Sequence, residues 1–350
     1  MKTVTISASK EYHVHIGAEL LDSLGTMIVE INDGQNAVIV SDSNVWPIYG
    51  QKATDSLLKN HFSVHNFVFS AGEESKNPIT YLNLLNFLAE NHITRSDCII
   101  ALGGGVVGDM AGFAASTYLR GISYIQVPTT LLSMVDSSVG GKTGIDLPAG
   151  KNLVGTFYQP SLVLCDTATL RTLPHSVFAD GCAEVIKYGI LYDENLFSQL
   201  EKEGPSFCPE EIIFKCIEWK KSAVMQDEFD IGARQMLNLG HTIGHAIEKA
   251  SGYAISHGKA VSIGISIATK IAVSLNLCSD SDWKRIIALL SQFDLPISTE
   301  YSSKILAEIA LSDKKRSGNH ISLVLPATIG CCKLQKVPVH QLESLIKAGM

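Results

Sequence analysis

Cys98-Ile99-Ile100-Ala101-Leu102-Gly103-Gly104-Gly105-Val106-Val107-Gly108-Asp109 joins an apolar run to a helical stretch through three consecutive glycines. A short apolar run bounded by glycine reads as a buried strand. The glycines permit a tight turn and let backbone N–H groups approach a pyrophosphate at the positive end of the next helix. The string fits G-x-G-x-x-G, which is a weak pattern by itself. It also lies far from the first strand–helix turn, where an ordinary Rossmann domain carries it. On the loop alone, a phosphate cradle and a bare turn both remain open.

Outward from this loop the same texture repeats. Residues 4–7 and 12–16 read as a hairpin, and 37–40, 64–69 and 124–127 as further strands. A helical stretch after Asn44 and helically spaced apolar residues over 79–88 separate them. Strands alternating with helices predict a parallel sheet with crossover connections, here an α/β nucleotide-binding domain over 1–174. Past Pro174 the periodicity turns helical. Ile212, Ile213, Cys216 and Ile217 share one face, 260–275 reads as a buried helix, and 286–290, 305–311 and 339–346 keep helical spacing. We therefore expect a mostly α-helical C-terminal domain over 175–350, with the active site in the cleft between the two.

Composition removes several classes. Net charge is 28 − 35 = −7 and no basic tract appears, which argues against a nucleic-acid partner. The most apolar stretch, 260–275, is interrupted by Ser262, Ser266, Thr269 and Lys270, too polar for a membrane span. Residues 1–17 lack the charged and apolar regions of a secretory signal, and the eight cysteines form no C-x-x-C pair. A cytoplasmic location with free thiols is the expectation.

At the carboxyl ends of the other strands, Asp42 and Asn44 suit a ribose or adenine, and Glu73 and Lys76 occupy a polar loop. Open α/β sheets bind ligands where such loops gather, which adds weight to the cradle. Three histidines, His241, His245 and His257, fall close together among glycines. Catalytic zinc commonly takes three protein ligands, so the cluster favours a metal over merely satisfied core histidines. Spacing nominates His241 and His245, four apart on one helix face, as the ligand pair. Thr242 stands where H-E-x-x-H needs its glutamate, which removes the protease reading. Lys142, Lys151 and Lys187 lie in apolar or glycine-rich stretches, where an anion pocket outweighs the bland reading of solvated lysines. Gly141-Lys142-Thr143 ends like a P-loop, yet Asp136 replaces the first glycine, so a nucleoside-triphosphatase is rejected.

Taken in order and spacing, these motifs resemble the 3-dehydroquinate synthase family. The resembling segments are 103–112, 118–121, 127–144, 151–152, 181–189, 227–248 and 257–264. The most specific is Arg234-Gln235-Met236-Leu237-Asn238-Leu239-Gly240-His241-Thr242-Ile243-Gly244-His245, and a weaker echo runs through Asp313-Lys314-Lys315 and Val324-Leu325-Pro326. One departure is Lys259, where the family commonly has glutamate.

The resemblance implies zinc, or cobalt, held by Glu184, His241 and His257, with His245 facing the substrate instead. It implies NAD held by Asp42, Asn44, Glu73, Lys76, Gly104, Gly105, Val106, Asp109, Thr129, Thr130 and Lys151, with help from Thr169 and Thr172. Asp136 and Lys142 fall in both the cofactor and the substrate sets. Arg120, Asn152, Lys187, Lys220, Arg234, Asn238 and Lys314 would meet the substrate's phosphate and carboxylate, and Arg120 would do so across a homodimer interface. The implied reaction converts 3-deoxy-D-arabino-heptulosonate 7-phosphate to 3-dehydroquinate, in the shikimate route to aromatic amino acids. It runs through transient oxidation, phosphate elimination, re-reduction, ring opening and aldol closure. The competing readings are a metal-dependent NAD polyol dehydrogenase, another sugar-phosphate cyclase and a non-catalytic metabolite binder.

Overall fold

In the computed structural model, which describes residues 1–312 and 319–350, the Cys98–Gly103 run is a strand buried along its whole length. It lies inside a seven-stranded sheet. In chain order the sheet strands are β1 (Lys2–Ser7), β2 (Glu11–Gly17), β3 (Asn36–Asp42), β4 (Ser63–Phe69), β5 (Cys98–Gly103), β6 (Ser123–Pro128) and β9 (Leu162–Asp166). Between the last two comes a separate antiparallel hairpin, β7 (Lys142–Leu147) and β8 (Gly150–Phe157). The spatial order is β1-β2-β9-β6-β5-β3-β4; β1 pairs antiparallel with β2, and the other pairs are parallel.

Helices α1 (Leu24–Val29), α2 (Gln51–Lys59), α3 (Pro78–Glu90) and α4 (Gly105–Thr117) cover the two faces of the sheet. Alternation along the strands divides the core. Val38, Val40, Ile99 and Ala101 pack with Leu84, Leu88 and Met110 of α3 and α4, while Ala37, Ile39, Cys98, Ile100 and Leu102 pack with Leu24, Ile28, Ala53 and Leu57 of α1 and α2. A strand buried on both faces needs a continuous apolar run, which is why these segments read as they do. From β3 the chain steps outward to β4, then returns past β3 to β5. The topological switch therefore lies between β3 and β5. In open sheets ligands bind at that point. This places the glycine loop beside the crevice even though it follows the fourth parallel strand in chain order, after β2, β3 and β4, instead of the first.

The chain separates into two compact units, Met1–Leu173 with Pro209–Phe229, and Pro174–Cys208 with Asp230–Met350. The expected single division near residue 175 misses one element. Helix α7 (Pro209–Gln226) belongs with the sheet, packed on β1 and on the turn Ser133–Ser137. Its buried face carries Ile213, Cys216, Ile217 and Lys220, and Lys2 of β1 lies over the Phe214 ring.

The second unit contains α5 (His175–Tyr192), α6 (Glu194–Glu203), α8 (His241–Ala250), α9 (His257–Ser274), α10 (Asp280–Gln292), α11 (Ser303–Ser312) and α12 (Leu342–Gly349). Helix α9 is central, touching α5, α8, α10 and α12, and is buried nearly all round as its apolar sequence requires. An antiparallel pair, β10 (His320–Thr328) and β11 (Cys331–Pro338), completes the unit and was not foreseen. Among the described residues no helix is long and apolar enough to cross a membrane.

Asp97, 1% exposed, ties the start of β5 to the start of β3. Its carboxylate accepts from Asn36 N at 2.9 Å, Thr94 N at 2.7 Å and Thr94 Oγ1 at 2.8 Å. Burial pushes this carboxyl up, but the hydrogen bonds from Thr94 and Asn36 outweigh it and hold it below the usual range. A depressed folded value means the stabilisation is full above the unfolded value of about 3.9 and is lost as pH falls through the folded one. Asp97→Ala should cost about 1–3 kcal/mol in urea unfolding at pH 7. Its deficit against wild type should shrink as pH drops below about 4. A deficit independent of pH would show that the charge is not what matters.

Candidate active site

Around the sheet's switch point the first unit gathers the residues expected to meet a dinucleotide. Gly104 caps α4, and a Cβ there would come within 3.2 Å of the Thr130 methyl. A Cβ on Gly105 would come within 3.3 Å of Ser137 Oγ, so the loop is confined by the segment after β6. Gly108 has a different role: its Cα faces the buried Gln126 side chain, where a Cβ would lie 2.6 Å from Oε1. That glycine lets α4 approach the sheet, as the last glycine of the fingerprint does in dinucleotide folds. Thr129 is buried, and its hydroxyl has no hydrogen-bond partner among the described residues. Orphaned buried hydroxyls are uncommon, and here one lies at the end of β6 beside the loop, with Thr129 N bonded to Gly103 O. These features fit a dinucleotide pyrophosphate.

Asp42 uses Oδ1 to accept from Asn44 N and Val45 N, so it also shapes the turn after β3. Thr169 and Thr172 are joined through Tyr49, whose hydroxyl reaches Thr169 O at 3.2 Å and Thr172 Oγ1 at 2.5 Å. Val106 stands half-buried in the first turn of α4.

A polar network centres on Lys76. Its ammonium, 4% exposed, donates to Asp109 Oδ2 and to Asn152 Oδ1, each at 2.5 Å, and lies 3.9 Å from Glu73 Oε1. Lys151 reaches the same Glu73 oxygen at 3.7 Å. Burial acts to lower the Lys76 pKa, but Asp109 and Glu73 outweigh it and hold it above the ordinary value. Asp146 secures the hairpin by accepting from Asn152 N at 2.7 Å and donating its own N–H to Lys76 O at 2.8 Å. Asn152 adopts φ 54°, a conformation that asparagine tolerates better than most residues. With its amide oxygen engaged by Lys76, its amide nitrogen is left as the donor.

Lys220 meets Asp136 Oδ1 at 2.6 Å within the first unit, because α7 packs there. The expected assignment of Lys220 to a C-terminal domain is corrected accordingly. Lys142 is exposed at the start of β7, and Arg120 is exposed on a turn where Leu119, Arg120 and Gly121 all have positive φ. Lys314 lies outside the described residues.

In the second unit, Glu184 on α5, His241 at the start of α8 and His257 at the start of α9 bring ligating atoms within 4.8 Å of one another. Nε2 of His241 and Nε2 of His257 are each 3.6 Å from Glu184 Oε1. Nδ1 of His241 faces Leu239 O at 3.0 Å, and Nδ1 of His257 faces Glu248 Oε2 at 3.4 Å. Both rings thus have Nδ1 engaged and Nε2 turned to the carboxylate, the arrangement that prepares an imidazole for a metal. Bonds of about 2.0–2.2 Å to a tetrahedral zinc separate its ligand atoms by roughly 3.3–3.6 Å, which these contacts match. Hence the donor set fits a divalent metal.

His245 is not in this trio. It groups with Glu248 and His257, its ring 5.5 Å from that of His241. Buried Lys187 pairs with Glu184 one turn along α5. Burial, followed by the Lys187 ammonium, pushes His241 well below its ordinary pKa, so it is neutral and able to bind a metal. Burial alone would lower His257 too, but Glu184 and Glu248 outweigh it and raise it to about 10. Arg234 is buried and Asn238 half-buried on the turn Ala233–Asn238 that leads into α8.

Residues 66–180 match the 3-dehydroquinate synthase N-terminal family model and residues 181–316 the C-terminal one. The chain belongs to the 3-dehydroquinate synthase family. It is 42% identical to a 3-dehydroquinate synthase of Pelobacter propionicus, covering 99% of each chain, and 41% identical to one of Clostridium kluyveri, covering 99% and 98%. Among solved structures it is similar to a 2-deoxy-scyllo-inosose synthase complexed with carbaglucose-6-phosphate, NAD+ and Co2+ (TM-score 0.90, 28% identity, all of both chains). It is also similar to the 2-epi-5-epi-valiolone synthase of Streptomyces hygroscopicus with NAD+ and Zn2+ bound (TM-score 0.88, 25% identity, 98% of each chain). A glycerol dehydrogenase of Schizosaccharomyces pombe shares the fold alone (TM-score 0.67, 18% identity, 96% and 88% covered).

Sequence reasoning passed over Glu248 and Asp146. Glu248 follows His241 by seven residues, two helical turns on the same face, and that spacing was the available signal. Asp146 had none, since its partners lie across a hairpin and on another loop. Two glycines set the close α8–α9 crossing. A Cβ on Gly264 would lie 2.0 Å from Gly240 O, and Gly240 itself adopts φ 79° immediately before His241. Gly264→Ala should therefore lower the urea-unfolding stability by about 1–3 kcal/mol, because rigid backbone must give way. An unchanged midpoint would mean that α8 and α9 have room to part.

Proposed function

We propose that this chain is a 3-dehydroquinate synthase in its own right. It would convert 3-deoxy-D-arabino-heptulosonate 7-phosphate to 3-dehydroquinate and inorganic phosphate in the shikimate route to aromatic amino acids. The observation that carries the reading is the Glu184–His241–His257 trio, in a chain matched over nearly its whole length by relatives of that name. When bound, NAD supplies a reversible hydride acceptor for one ring hydroxyl, and zinc (or cobalt) supplies Lewis-acid polarisation of that oxygen.

The chain's own residues bind, orient and neutralise. Gly104, Gly105 and Val106 offer backbone N–H groups to the pyrophosphate at the positive end of α4. Asp42 and Asn44 hold the adenosine end, with Thr169 and Thr172 beside them, and Thr129 and Thr130 contribute hydroxyls. Glu73, Lys76, Asp109 and Lys151 hold the nicotinamide end in register. Asn152 presents its amide nitrogen to the substrate, and Lys142, Lys187, Lys220, Arg234 and Asn238 neutralise its carboxylate and phosphate. Asp136 orients Lys220, with which it is paired. His245, outside the metal trio, faces the substrate and holds a proton there. Arg120 extends from its strained turn to the active site of a second copy, so the working form is a cytoplasmic homodimer. Placing two anionic groups among fixed cations lowers the cost of expelling phosphate, and orientation supplies much of the remainder.

Two measurements test this. With NAD+ at catalytic concentration and zinc present, phosphate release should continue for many turnovers per NAD+ without net NADH absorbance. A stoichiometric rise in NADH would place the protein among the dehydrogenases. Separately, Glu184→Ala, His241→Ala and His257→Ala should each lose bound zinc on metal analysis, whereas His245→Ala should keep it and lose turnover. Equal zinc loss in His245→Ala and His241→Ala would restore the pairing that residue spacing alone nominates.

A further inference from the structure

Helix α9 brings His257 to the trio as its first residue, yet its own N-cap serine does not cap it. Ser256 makes no side-chain bond to the helix it precedes. Its hydroxyl instead donates to Asp180 Oδ1 on α5, at 2.5 Å. The same Asp180 oxygen accepts from the main-chain N–H of Lys259 at 3.0 Å. Lys259 is the third residue of α9, and its N–H is one of the orphan donors that an N-cap ordinarily satisfies. Asp180 thus caps α9 from a neighbouring helix, with its negative charge at the positive end of the helix.

A second contact lies beside the first. The main-chain oxygen of Asp180 sits against Gly258, where an added Cβ would come to 1.9 Å from it. Only glycine allows the first turn of α9 to come this close to α5. Asp180 precedes Glu184 by four residues, one turn of α5, so both project from the same face of that helix. Side chain and main chain of one residue therefore fix the start of α9 against the turn that carries Glu184. The quantity they fix is the 3.6 Å separation of Glu184 Oε1 and His257 Nε2. Metal sites tolerate errors of only about 0.5 Å in such placements.

We propose that Asp180 is a positioning residue of the metal site. By capping α9 across helices it sets the Glu184–His257 distance, and through it the affinity for the divalent ion. This rests on the reading of Glu184, His241 and His257 as metal ligands. The cap uses the main-chain nitrogen of Lys259, which every residue except proline supplies.

The test uses full-length protein stripped of metal, zinc affinity from competition with a chromophoric chelator, and the visible absorption of the Co2+-loaded form. Asp180→Ala should weaken zinc about 10–100-fold and alter the Co2+ bands. Asp180→Asn keeps the accepting oxygen, and asparagine caps about as well as aspartate, so its affinity should return to within roughly threefold of wild type. Ser256→Ala, which removes one of the two bonds, should fall between. Wild-type affinity in Asp180→Ala, whatever its thermal midpoint, overturns the proposal, as does an Asp180→Asn variant as weak as Asp180→Ala. Should Asp180→Ala not fold, the other two variants decide, and wild-type affinity in Ser256→Ala overturns it. His257→Ala separates the two ideas. Full zinc binding there overturns the ligand assignment itself, whereas zinc lost in His257→Ala but kept in Asp180→Ala overturns the cap alone.

Discussion

A carboxylate with no solvent exposure organises the second unit. Glu184 is fully buried on α5, where an uncompensated charge would cost several kcal/mol or more. Lys187 one turn away and the imidazoles of His241 and His257 surround it. Each comes from the start or middle of a helix, so α5, α8 and α9 must meet at one point. Apolar packing alone does not demand such precision. Glycines make it sterically feasible, Gly264 against the backbone of Gly240 and Gly258 against that of Asp180.

The first unit obeys the opposite logic. Its central strands β3 and β5 are buried on both faces, so the polar groups assigned to the cofactor and substrate gather at the strand ends, on the adjoining helices and on the hairpin β7–β8. At the switch point the loop after β5 lies beside the turn that Asp42 shapes, and the Lys76 network connects the loop after β4, helix α4 and the hairpin. One buried ammonium thus ties residues assigned to the cofactor to Asn152, assigned to the substrate. Short charge-assisted bonds of this kind hold a donor more firmly than a flexible surface side chain could be held.

The two units also divide the chemistry by type. Backbone N–H groups, an orphan threonine hydroxyl and a lysine network suit a dinucleotide, while imidazole and carboxylate suit a hard-to-borderline divalent ion. The helix α7 complicates any division by chain position. It returns from the second unit to the sheet and delivers Lys220 to Asp136, so a residue late in the sequence serves the earlier unit.

Periodicity and glycine placement were enough to read the α/β sheet over the first 170 residues and the helices after Pro174, because both report which face of a local element is apolar. The motifs also named the candidate residues, since a family's chemistry constrains residue type at each position. Periodicity does not name the partner of a face. The amphipathic pattern of α7 is the same whether it packs on helices or on β1, and only the assembled unit placed it on the sheet. Four-residue spacing likewise put His241 and His245 on one helix face, but Glu184, 57 residues before His241, is what distinguishes them. The contacts of Asp146 with Lys76 and of Asp180 with Ser256 and Lys259 were invisible for the same reason: a carboxylate that caps or orients is recognised by the groups around it, and those groups are distant in the chain. Local physics is written in the sequence, whereas the choice among equivalent surfaces belongs to the tertiary structure, where desolvated charges must find their partners.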